Sequence, residues 1–83
     1  MSELLRERRE VVREEPLMHQ PILAALREGP LTVPELAERI GHPSNEVLIW
    51  VMGMRRYGHV IEVGDADDEG FFRYADAHKG ALQ

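Results

Sequence analysis

The chain has 83 residues, with ten Lys and Arg against fifteen Asp and Glu, a formal net charge of -5, a pI near 5.3 and no cysteine. That length suits one small domain whose thin core gains from a partner or from self-association. The missing cysteines exclude disulfides, thiolate metal sites and cysteine nucleophiles. With no run long enough to span a membrane and no signal-peptide pattern, a cytoplasmic location is expected.

Residues 2–15, SELLRERREVVREE, predict a charged helix ended by Pro16, with Leu4, Leu5, Val11 and Val12 as its large apolar side chains. Leu4 to Val11 and Leu5 to Val12 are each seven apart, a narrow stripe that needs a covering surface. Either the helix folds back on its own domain, or it pairs with another copy through these four residues. Its four arginines are matched by five glutamates, so it reads as a solvated face rather than a nucleic-acid arm. A second helix is expected with Pro21 in its first turn, carrying Ile22, Leu23, Ala25 and Leu26 into the core and ending at Gly29-Pro30. His19, His42 and His59 read as local or turn residues, without a second ligand at metal-site spacing, and His78 falls in a polar tail.

From Thr32 to Gly58 the chain predicts two helices joined by a tight turn. Thr32 and Glu35 have capping-box spacing, with Leu31 and Leu36 as the hydrophobic staple, so a helix starts near Val33. Leu36, Ala37 and Ile40 follow at helical spacing, and Gly41 supplies the left-handed turn. Ser44 or Asn45 is expected to cap the next helix, which runs to Gly58. At about 100° per residue, Val47, Val51 and Met54 point inward, with Trp50 and Tyr57 on one flank and Leu48 and Arg55 on the other. Asn45, Ile49, Met52, Gly53 and Arg56 face outward, with Glu46 beside them. Val60-Ile61-Glu62-Val63 and Phe71-Phe72-Arg73-Tyr74 read as two strands around the turn-rich Gly64 to Gly70, and residues 76–83 as a polar tail.

Small Ala37, the turn at Gly41 and anchoring Val47, followed by a hairpin, resemble the winged helix-turn-helix superfamily, in particular small MarR-like and ArsR-like bacterial and archaeal modules. The resemblance covers roughly residues 17–75. It implies an α+β, mostly helical winged helix: an extra N-terminal helix over 1–15, and a domain over 16–75 with a three-helix core and a C-terminal β-hairpin wing. It also implies a dimeric DNA-binding transcriptional regulator, with Asn45, Glu46, Gly53 and Arg56 near the DNA groove.

The residues favour a different role. No Lys or Arg occurs from Gly41 to Met54, and the segment from Tyr57 to Phe72 holds five acids and no base. DNA affinity comes largely from cations on phosphate, so DNA is a disfavoured partner. Leu48, Ile49 and Met52 would leave an apolar patch in water, with Trp50 as a candidate anchor, which points to a protein partner, self or hetero. Asp65, Asp67, Glu69, Gly70 and Asp76 match positions 1, 3, 5, 6 and 12 of a calcium loop, but both flanks read as strand where such a loop needs helices. An exposed, mobile hairpin tip is the expectation there. There is no Gly-rich phosphate loop and no HExxH, and the only serines, Ser2 and Ser44, read as caps. The expected protein is a non-catalytic docking adaptor or accessory subunit without cofactor or metal.

Overall fold

The computed structural model describes residues 8–78. They form an α+β fold of four helices and one small sheet: α1 (Arg8–Arg13), α2 (Glu15–Leu26), β1 (Leu31–Thr32), α3 (Val33–Ile40), α4 (Ser44–Arg56), β2 (Val60–Val63) and β3 (Arg73–Asp76). The sheet is antiparallel in the order β1-β3-β2, with Leu31 opposite Tyr74 and Val60 opposite Asp76. β1 was not expected; two residues give no periodicity to read, and the pairing with β3 creates the strand.

Pro16 explains the break between α1 and α2. Its ring would clash with the carbonyl four residues back if α1 continued, yet its fixed φ suits the first turn of a new helix, where it stands. The second helix therefore begins at Glu15, and Pro21 lies inside it rather than in its first turn. The cost is tolerable because Pro21 is on the exposed side, near Leu17, whose carbonyl loses its usual donor.

The capping box at α3 forms as expected: Thr32 N–H donates to Glu35 Oε1 at 2.9 Å and Glu35 N–H to Thr32 Oγ1 at 3.2 Å. Gly41 takes φ 76°, and the Gly41 and His42 amides return to the Ala37 carbonyl at 2.9 and 3.1 Å, closing α3. Pro43, not Ser44 or Asn45, is the N-cap of α4, and no side chain caps that end. At the other end Gly58, φ 81°, turns the chain, and the His59 amide donates to the Met54 carbonyl at 2.8 Å.

Val47, Trp50, Val51 and Met54 recur at i, i+3, i+4 and i+7 on α4 and are completely buried. They meet Ile22, Ala25 and Leu26 of α2, Leu36 and Ala37 of α3, Val60, Tyr74 and, from α1, Val11. The indole N–H of Trp50 donates to the Val11 carbonyl at 2.6 Å, and His42 meets the indole edge-on at 5.1 Å. The described part of the N-terminal helix thus packs back on its own domain.

The second hairpin strand starts two residues later than the sequence pattern suggested. The Asp67 N–H donates to the Phe71 carbonyl, while Asp67 Oδ1 accepts from the amides of Phe71 and Glu69, all at 2.9 Å. This side-chain-closed turn holds Phe71 and Phe72 in the connection, and pairing begins at Arg73 opposite Val63. Asp76, expected in the tail, ends β3 and is buried: its Oδ1 accepts from His78 N–H at 2.9 Å, and its Oδ2 lies 3.9 Å from Arg27 Nε.

Candidate functional site

At about 100° per residue, Glu46, Trp50, Gly53 and Tyr57 share one side of α4, and α1 with the start of α2 cover most of it. Trp50 is entirely buried and Glu46 nearly so. Glu15 lies so close over Gly53 that a Cβ at that position would overlap its carboxylate. The same carboxylate takes His19 Nε2 at 3.2 Å, and the His19 ring sits 5.0 Å from that of His59. Glycine at 53 is what lets Glu15 lie there.

These facts correct several sequence expectations. Trp50 is a core residue and not a surface anchor, because the helix the sequence left unassigned closes over it. Glu46 is buried and cannot line a DNA groove, and Gly53 is half-buried beneath Glu15. Of the residues expected to pair copies, Val11 is in the core and Val12 is 43% exposed, while Leu4 and Leu5 lie outside the described residues. Ile49 and Met52 are half-buried against the core. Together with Val12, Leu48 and Tyr57 they line a hollow of about 290 Å³ between α1 and α4.

Leu48 also borders a second hollow, whose walls are mostly apolar. It measures about 360 Å³ and lies between the first turns of α3 and α4 and the β2–β3 connection. Val33, Pro34, Leu48, Phe71, Phe72 and Tyr74 supply its apolar walls, with Ser44, Asn45 and Gly70 at its margin, and no charged residue lines it. Leu48 is 46% exposed, Phe71 and Phe72 each 41%. The phenylalanines were missed as surface residues because the sequence pattern put them in a strand, whereas they stand in the connection before it.

The charges nearby are mostly acidic. Asp65, Asp67, Asp68 and Glu69 lie in the β2–β3 connection next to Gly70. Asp67 is committed to backbone amides and Asp76 is buried on β3, so the calcium-like spacing does not become a ligand set. Among the described residues no three His, Asp or Glu side chains gather as a metal site would require. Arg55 is held by Glu62 at 3.0 Å, and Arg39 by Glu28 at 2.7 Å. Burial raises the Tyr74 phenol above its ordinary pKa of 10.0, Glu62 adds to the shift, and Arg55 opposes it.

No protein-family model matches the chain, and no curated protein matches it at a significant level. Among the described residues no helix is long and apolar enough to cross a membrane.

Proposed function

We propose that this chain is a non-catalytic winged-helix module that docks on another protein, as an adaptor or accessory subunit, through the apolar hollow between α4 and the β2–β3 connection. The order of elements supports the fold part of the reading: α2, β1, the turn-linked pair α3 and α4, then the hairpin β2–β3, with β1 paired to β3. In that reading α3 and α4 are the helix-turn-helix and the β2–β3 connection is the wing.

One observation carries the docking reading: Leu48, Phe71 and Phe72 stand partly exposed around one uncharged hollow. Large apolar side chains gathered around a concavity are what a protein interface needs at its centre. A DNA-reading module would need cations here. Asn45 and Arg56 remain exposed from the set implied by the family resemblance, but Glu46 is buried and Gly53 half-buried, and the wing is acidic. The test is a photo-crosslinking residue placed at Phe72 or Leu48, with Leu17 as a control position away from the hollow. The expected result is a discrete protein adduct from the first two sites in the native cell and none from the control. Equal labelling from all three would refute the reading.

A further inference from the structure

We infer that the occupant of this hollow is a short segment of a different protein that inserts one large apolar side chain and carries Lys or Arg on either side of it. The inference rests on the docking reading above and adds the chemistry of the partner. A hollow of about 360 Å³ accepts one or two large side chains rather than the whole face of a second domain. Its lining offers no charge, so the anchor is apolar.

The charge requirement comes from the rim. Asp67 is fastened to Phe71 by hydrogen bonds in both directions at 2.9 Å, which holds the acidic run against the hollow. Asp68 and Glu69 are exposed, and their carboxylates make no hydrogen bond or ion pair among the described residues. Arg73, also exposed, follows Phe72 as a base beside the lining, against the exposed Asp68 and Glu69. An apolar socket with an acidic rim attracts a cationic segment, speeds its encounter and excludes acidic ones.

A second copy of this chain fits less well. Its most exposed apolar side chain, Leu17, is preceded by Glu14 and Glu15, which would bring acid to acid. Tyr57 next to Arg56, Val12 next to Arg13 and Phe72 next to Arg73 are the exceptions, and the test therefore includes the mass in solution.

The experiment pans a random-sequence peptide library on the full chain and then measures the best binder as a synthetic peptide. The expected binder has an aromatic or aliphatic anchor flanked by Lys or Arg, and perturbs the amide resonances of Leu48, Phe71 and Phe72. Exchanging its cations for Gln, or making Asp68→Asn with Glu69→Gln in the protein, should each weaken binding roughly three- to tenfold at low salt, and added salt should erase the difference. Binders that perturb the same resonances but have no basic flanks, and ignore the double variant, would overturn this inference and leave the docking reading standing. Failure to select any peptide sensitive to Leu48→Asp would overturn both. So would a dimer that dissociates on Phe72→Asp, because a second copy would then fill the hollow.

Discussion

Replacing Trp50 with Phe tests how firmly α1 is fixed over α4. Two losses follow from the geometry. The indole N–H gives up its 2.6 Å bond to the Val11 carbonyl, worth about 1 kcal/mol net. The smaller ring also leaves part of a fully buried site empty, worth about 1–2 kcal/mol in lost burial and cavity. The Val11 carbonyl still receives the Glu14 amide at 3.1 Å, so the penalty for a bare buried acceptor does not apply. The sum is about 2–3 kcal/mol, which for a domain of this size lowers Tm by roughly 10–20 °C. Thermal melts followed by circular dichroism give the number, because Trp50 is the only tryptophan and its fluorescence disappears with it. In the wild type, Trp50 emission should be blue-shifted, and it should move to the red when residues 1–13 are deleted. A variant within about 0.5 kcal/mol of wild type, the reach of an unremarkable surface change, or solvent-like emission from the intact chain, would refute the packing of α1 described above.

Three further effects follow from local geometry. Thr32→Ala removes the acceptor for the Glu35 amide and should cost about 1 kcal/mol, seen as a fall of roughly 4–8 °C in Tm; no change would mean that the cap is redundant. Pro21→Ala restores a backbone donor inside α2 and should stabilise the domain by about 1–2 kcal/mol, measured by urea unfolding; destabilisation would contradict a helix continuous through residue 21. The raised pKa of Tyr74 means that the folded state holds this proton more tightly than the unfolded chain. Its contribution to stability is complete below pH 10.0 and is lost as pH rises through the higher folded value. Tyr74→Phe should therefore flatten the decline in stability above pH 10.0, and an unchanged alkaline slope would count against that assignment.

The helix pair was readable because its signals are local. A capping box needs only Thr32 and Glu35 three residues apart, and Gly41 and Gly58 announce their left-handed turns by lacking a side chain. The inward stripe of α4 was readable too, since Val47, Val51 and Met54 repeat with the helix. What could not be read locally was which neighbour covers the rest of α4. Trp50 looked like a flank residue until α1 supplied the carbonyl for its indole, 39 positions away in the chain. The start of β3 depended likewise on one side chain, since the bonds from Asp67 displace Phe71 and Phe72 from the strand and build the hollow's outer wall. Pro21 misled because a proline usually marks a first turn, a role that Pro16 had already filled.

The central claim is that the face formed by α4 and the β2–β3 connection binds protein and not DNA. Retention of fragmented genomic DNA, measured as salt is lowered and with the protein's mass followed in the same buffers, tests it most directly. No retention is expected even at low salt, because the exposed bases on this face do not balance the acids of the connection. Retention that weakens steeply as salt rises and is lost in Arg56→Ala would contradict it.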